Sequence, residues 1–402
     1  MRKNERFNEG KAFGTDTKFA LPIFLGNLLQ LTYSLVDTRI VGSFLGEDAL
    51  AAVGATSTLS GLIIGFLLGL SNGFAIITAQ KFGAKNIADM KKSFAMSLVI
   101  GTGISILFTI AGLLFLKPIL HFLNVPKHLV PVAKGYIAII IAGLLATFLY
   151  DACAATLRAI GDAVTPLIIL AISVALNIVG DLFFVVVLKT GVKGAAIATV
   201  LAQIIAFVIC WIYMIRKYEI LRLQKEDFKD PSPIMVKEMI SAGMSMGFMS
   251  SLVNIGTLTL QTAINKLGKD IIIAHTAARK ISEIFMIMFS VFGQTMATYC
   301  GQNMGAGKID RVKRGIWLAI VYTAIWSGLT IIASYTIGGW LVYLVTGSHN
   351  KTVILNATNY LKFDTLFYIE TTLICILRNA MQGLGDHITP LISSGLEMAG
   401  RS

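Results

Sequence analysis

Charge is what this chain is short of: Asp, Glu, Lys and Arg make up only 14% of its 402 residues, against 55% hydrophobic. That is too little charge to cover a soluble particle of this size, and the mean hydropathy of +0.75 points the same way. The chain reads as an integral membrane protein. Cysteine and histidine are scarce as well. Cys153, Cys210, Cys300 and Cys375 stand apart in apolar runs, with neither metal-ligand nor disulfide spacing, and read as buried free thiols. Of the five histidines, His121, His128, His349 and His387 fall in or near connections, and none clusters with acids at ligand spacing. A membrane-embedded enzyme is therefore disfavoured, and no resident metal or cofactor is expected. No phosphate-cradling glycine loop occurs, which argues against ATP drive. No small-residue cleavage pattern follows the polar start (Arg2, Lys3, Glu5, Arg6, Lys11), so the first apolar run is expected to be retained.

What the chain has is duplication. Leu45-Gly46-x-Asp48 with Ala52 returns as Leu267-Gly268-x-Asp270 with Ala274, and Ala79-Gln80-x-x-Gly83-Ala84 returns as Gly301-Gln302-x-x-Gly305-Ala306, both 222 residues later (46 to 268, 80 to 302). Gly161-Asp162-x-x-Thr165-Pro166-Leu167-Ile168 recurs at Gly385 through Ile392, 224 residues on (161 to 385). Three separated motifs held in one register imply two copies of a structural unit, and in so apolar a chain that points to a transporter of two related halves.

Apolar runs of roughly 20 residues or more, enough to span a bilayer, fall near 17–41, 50–80, 93–117, 131–157, 164–188 and 194–216, then 238–264, 272–302, 315–346 and 353–380, with a further helix starting near Ile388. The expected fold is all-α, two parallel six-helix repeats with the second incomplete, so that most of an eleventh helix and all of a twelfth are missing. The expected units are 1–216, a polar linker 217–237 carrying Pro231 and Pro233, and 238–402. The formal charge of +12 sits mainly in alternate connections: Lys81, Lys85, Lys91 and Lys92; Arg158; Arg216, Lys217, Arg222, Lys225 and Lys229; Lys308, Arg311, Lys313 and Arg314. By the positive-inside rule these loops and the N-terminus face the cytoplasm. The charge thus reflects topology and not nucleic-acid binding.

An ionisable side chain within a spanning helix costs about 3 kcal/mol on insertion scales and is by default a functional candidate. Asp37, Asp151 and Asp181 are such residues, and Asn177 lies one turn before Asp181 on the same face. At 1.5 Å per residue, Asp181 is about 12 Å inside Lys189, Thr199 about 9 Å inside Lys193 and Asp37 about 8 Å inside Gly42. Asp37, Asn177, Asp181 and Thr199 thus share one depth. Two carboxylates, an amide oxygen and a hydroxyl form an all-oxygen set that suits Na⁺, or a proton shared between the acids. The plainer alternative is that each acid satisfies a neighbouring helix, Asp37 with Arg39 among them. In the second half, Arg279 and Glu283 are spaced for an i,i+4 ion pair, while Glu370 has no local partner and could sense a cation or contact a cationic substrate. Gln30 and Tyr33 on helix 1 are further candidates for substrate contact. Pro22 permits a bend in helix 1, unless it occupies the first turn. Methionines 235, 239, 244, 246 and 249 on helix 7, with 286, 288 and 296 on helix 8, offer an adaptable binding surface or ordinary packing.

These words, taken together, resemble the multidrug and toxic compound extrusion (MATE) family. Pro22 to Gly42 with Asp37-Thr38-x-x-Val41-Gly42 is similar to its helix 1. Both Gln-x-x-Gly-Ala words, Leu157-Arg158-x-x-Gly161-Asp162 and Glu397-Met398-x-Gly400-Arg401 carry the likeness along the rest of the chain. The resemblance implies a V-shaped, two-lobed transporter exporting mostly cationic, amphipathic compounds in exchange for H⁺ or Na⁺. It implies a cation site at Asp37, Asn177, Asp181 and Thr199, the last within Gly194-Ala195-Ala196-x-Ala198-Thr199. The family's sodium-type branch has an acid on helix 7, and this chain has none between Met239 and Lys266. The resemblance also implies a multi-pass protein of the bacterial inner membrane, expected to act as a monomer. Two rivals are a flippase for lipid-linked precursors, kept in view by Arg279, Lys280 and Arg378, and an inactive fragment of such a transporter.

Overall fold

The computed structural model describes residues 12–123, 125–264, 269–346 and 350–401. The basic tail through Lys11, the Leu267-Gly268 copy of the first motif and His349 lie outside the described residues. Among the described residues every regular element is a helix. In the first half these are α1 (Ala12–Leu45), α2 (Glu47–Gly83), α3 (Ile87–Leu114), α4 (Leu116–Phe122), α5 (Val130–Ala142), α6 (Leu144–Ala159), α7 (Val164–Asp181) and α8 (Val192–Lys217). A π-helical turn, Leu182–Val187, prolongs α7. The second half contains α9 (Pro233–Ile264), α10 (Lys269–Gly305), α11 (Ile309–Thr336), α12 (Gly338–Thr346), α13 (Lys351–Leu366), α14 (Tyr368–Leu384) and α15 (Ile388–Arg401).

The duplication reappears in the helix boundaries. α2 and α10 are each 37 residues long, and α3 and α11 are each 28. Their ends keep the 222-residue offset of the repeated words. Among the described residues seven helices are long and apolar enough to cross a membrane, or eight if the bent pair α5 and α6 is one span. Here the structure departs from the expected spans. The run 131–157 is two helices bent by 44° beside Gly143. The run 315–346 divides at Ile337, and 353–380 divides at Phe367. Continuous hydropathy conceals such breaks, because a membrane helix can interrupt its ladder wherever neighbours re-satisfy the backbone.

The third repeated word is a helix-joining device. Gly161 and Gly385 take left-handed φ values of 95° and 98°, which suit glycine. The aspartates that follow close the first turn of the next helix. Asp162 Oδ1 accepts from the Thr165 backbone N–H at 3.0 Å and Oδ2 from its hydroxyl at 2.6 Å, and Asp386 Oδ1 accepts from Ile388 and Thr389 N–H at 3.1 Å each. Both acids lie outside the spanning segments. Burial opposes charge on Asp162, but hydrogen bonds from Thr165 and Tyr218 and the nearby Lys217 ammonium outweigh it and hold the carboxyl below the usual range. At Asp386 the Thr389 hydrogen bonds have the same effect.

The two halves meet most extensively along α2 and α9. Gly69 and Gly73 of α2 lie against the backbone of Met246, Gly247, Ala242 and Gly243, while Gly243 and Gly247 of α9 receive the rings of Phe74 and Phe66. Reciprocal glycines four apart let two backbones approach closely, the usual route to tight helix pairing in lipid. Met235, Met239 and Met246 are buried in this contact, and Met296 is buried in the second half. These methionines are packing residues.

Candidate functional site

Asp37 lies eight residues before the end of α1, and Asp181 is the last residue of α7, where the ladder changes to the π turn. A π segment shifts the side chains after it and often marks a functional position. Small residues bring α8 close: a Cβ on Gly180 would come to 2.9 Å from that of Ala198. Within this junction the Asp37 and Asp181 carboxyls come within hydrogen-bonding reach of one another. Asp181 is fully buried and Asp37 partly so.

Asn177 is 3% exposed and ties the acids to α8. Oriented with its nitrogen toward the carboxyl, its amide donates to Asp181 Oδ2 at 3.0 Å, while its oxygen accepts from the Thr199 backbone N–H at 3.0 Å and the Thr199 hydroxyl at 3.2 Å. This is the orientation in which the carboxylate faces a donor. Tyr33, one turn before Asp37, places its hydroxyl 3.5 Å from Thr199 Oγ1. Thus α1, α7 and α8 bring Asp37, Asn177, Asp181, Thr199 and Tyr33 together. Tyr136 of α5 stands within electrostatic reach of both acids, a neighbour the sequence did not single out. Asp37 Oδ1 and Asp181 Oδ1 are buried without a hydrogen-bond partner among the described residues. Two carboxyls cannot hydrogen-bond unless a proton lies between them, and two free acceptor oxygens beside an amide and a hydroxyl would serve a hard cation equally well.

The other candidates lie elsewhere. Asp151 of α6 is within electrostatic range of Arg158, not of the pair. Glu283 bonds Lys280 at 3.0 Å at the surface, so its ion-pair partner is Lys280 where the spacing had pointed to Arg279; both i,i+3 and i,i+4 neighbours share a helix face, and the i,i+3 neighbour holds the contact. Glu370 is exposed in the first turn of α14, where the helix dipole favours a carboxylate. Gln30 is exposed on α1. Pro22 lies inside α1, ten residues after Ala12, and not in its first turn. The second half has an acid that went unremarked: Asp364 Oδ2 accepts from Ser282 at 2.7 Å and Tyr368 at 2.9 Å. Among the described residues no group of three or more His, Cys, Asp or Glu could hold a metal ion.

Comparison with known proteins decides the family. The MatE family model matches residues 22–183 and again 245–400, once on each half. The chain belongs to the MatE family. It is a MATE membrane transporter and not an enzyme. It is 29% identical over 390 residues to "Probable multidrug resistance protein YpnP" of Bacillus subtilis (strain 168), covering 96% of this chain and 86% of that protein. It is 26% identical over 371 residues to "Probable multidrug resistance protein YoeA" of the same organism, covering 88% and 79%. Among solved structures, the "Outward-facing conformation of a multidrug resistance MATE family transporter of the MOP superfamily" superposes with a TM-score of 0.90 at 20% identity, over 98% of this chain and 88% of that one. At that identity the likeness shows the fold. The MATE fold of this chain is all-α, as its long apolar runs implied.

Proposed function

We infer that this MATE transporter exports organic, mostly cationic and amphipathic compounds by antiport, with H⁺ or Na⁺ bound at Asp37, Asn177, Asp181 and Thr199. The observation that carries the reading is the close approach of the Asp37 and Asp181 side chains, on two packed helices of the first half. Without a cation the two charges repel; with one between them, α1 is drawn to α7. A cation therefore distinguishes two helix arrangements by its own binding free energy, which is what coupling requires. Pro22 removes one intrahelical bond from α1 and gives that helix a place to bend. The multidrug names of both Bacillus relatives support the substrate class. In this scheme 1–216 and 238–402 act as two lobes joined by 217–237, rocking about a central cleft with the basic loops and N-terminus on the cytoplasmic side of a bacterial inner membrane.

The test is competition at equilibrium. A fluorescent lipophilic cation should bind the purified full chain and be displaced as Na⁺ is added or the pH is lowered. In Asp37→Asn, displacement by the coupling ion should be lost. Displacement identical to that of the parent chain would remove Asp37 from the coupling site.

A further inference from the structure

The second repeated word, Gln-x-x-Gly-Ala, has no part in the cation cluster. It sits at the far end of α2, some 33 residues from Glu47 or about 50 Å along the helix at 1.5 Å per residue. Its two copies do the same thing in opposite directions. Gln80 Nε2, from the first half, donates to the backbone carbonyl of Gly383 in the second half at 2.9 Å. Gln302 Nε2, from the second half, donates to the carbonyl of Ala159 in the first half at 2.6 Å. Gln80 and Gln302 are 222 residues apart and Ala159 and Gly383 are 224 apart, so donors and acceptors are each other's repeats. The glycines of the same words repeat the reciprocity. A Cβ on Gly83 would run into the Gln302 carbonyl, and a Cβ on Gly305 into that of Gln80.

The contact is local. α2 meets α14, and α10 meets α6, over only a few residues, although α2 and α10 themselves cross closely. All four acceptor and donor positions lie in the last turn of their helices, with Lys81 and Lys85 following Gln80 and Lys308 and Arg311 following Gln302 in the chain. Above the crossing, on the membrane side, lies a small, partly open pocket between the halves, lined among others by Asn72, Arg158, Gln294 and Thr298. Its Arg158, adjacent in sequence to the acceptor Ala159, donates to Asn72 Oδ1 at 3.2 Å.

We propose that Gln80 and Gln302 are positioning residues of a two-fold latch that holds the halves together at the basic-loop face, and that this latch must open for the central cavity to be reached from that side. A glutamine bonded to a backbone carbonyl needs no particular partner side chain, so both bonds break together as the halves rotate apart and re-form when they return. The glycines set the distance at which each glutamine can reach its carbonyl. The latch gives the cycle a defined closed state on one face, against which cation and substrate act at the other. This inference extends the antiport reading, but the device acts on access alone and its test needs no transported substrate.

The experiment uses the full chain with Thr298→Cys as a reporter in the cavity and a membrane-impermeant thiol reagent applied to right-side-out and to inside-out membranes; the parent chain, with its four native cysteines, sets the background. Gln→Met keeps length and volume and removes the donor. A neutral hydrogen bond of ordinary net strength shifts an equilibrium about fivefold. Gln80→Met and Gln302→Met should each raise labelling from the basic-loop face about fivefold, the pair together about twenty-fold or more, with labelling from the opposite face falling. Gly305→Ala should change both rates in the same directions, which a mere loss of folding would not do. Rates unchanged from either face, or raised equally from both, would overturn the proposal. Should the double variant fail to reach the membrane, the two single variants decide by the same criterion.

Discussion

The carboxyl of Asp37 on α1 comes within hydrogen-bonding reach of that of Asp181 on α7, next to the turn where α7 becomes π-helical. Asp181→Asn places an amide opposite Asp37 that can donate without any proton or metal ion. The α1 to α7 contact then no longer depends on a cation. The variant should fold with parental thermal stability and still bind a lipophilic cation, while gradient-driven transport falls by about two orders of magnitude or more, equivalent to roughly 3 kcal/mol of lost coupling.

Asn177 joins the acids to Thr199 through both its oxygen and its nitrogen. Asn177→Leu leaves the Asp181 carboxyl without its amide donor and the Thr199 N–H without its amide acceptor, and should cost about 1–3 kcal/mol. Thr199→Val keeps the backbone bond and the shape and should cost about 1 kcal/mol or less. Thermal unfolding of the two variants in one detergent gives the order.

The α2 to α9 seam depends on close backbone approach. A Cβ on Gly73 would meet the Gly243 Cα at 2.6 Å, where neither backbone can give way cheaply. Gly73→Leu should destabilise the protein by about 3 kcal/mol or more. Gly54→Ala on the same helix, with nothing within 4 Å, should leave stability unchanged or slightly raised. Chemical denaturation of both variants makes the comparison.

Asp162 carries a pH signature outside the bilayer. Its folded pKa is held down, so the unfolded chain binds the proton more readily; its contribution is complete above the ordinary carboxylate value, about 3.9, and is lost as pH falls through the folded value. Asp162→Ala should lower stability by about 1–2 kcal/mol near neutrality and show less loss on acidification than the parent chain. Melting temperatures between neutral and acid pH check the sign.

Much of this was legible because insertion into lipid constrains sequence so strongly. Buried acids stand out in an apolar chain, and residue counts along the helices give Asp37, Asn177, Asp181 and Thr199 one depth. Tyr136 was not legible, since a single tyrosine in an apolar run has no periodic or charge signal; only the packing of α5 against α8 and α2 brings it there. The helix breaks at Gly143, Ile337 and Phe367 were hidden by unbroken hydropathy. The repeated words were conspicuous, yet sequence could not say what they do: Gly161-Asp162 and Gly385-Asp386 join helices, whereas Gln80 and Gln302 reach across to the opposite half. That distinction depends on partners more than a hundred residues away, which spacing within a word cannot encode.

Export driven by a cation held by Asp37 and Asp181 can be followed directly in a reconstituted membrane. The most direct measurement is uptake of a fluorescent lipophilic cation by proteoliposomes containing the full chain, with a pH gradient and then a Na⁺ gradient imposed, beside Asp37→Asn. Transport should be driven by one of the two gradients and abolished by the substitution. Equal gradient-driven transport by parent and Asp37→Asn would contradict coupling through Asp37.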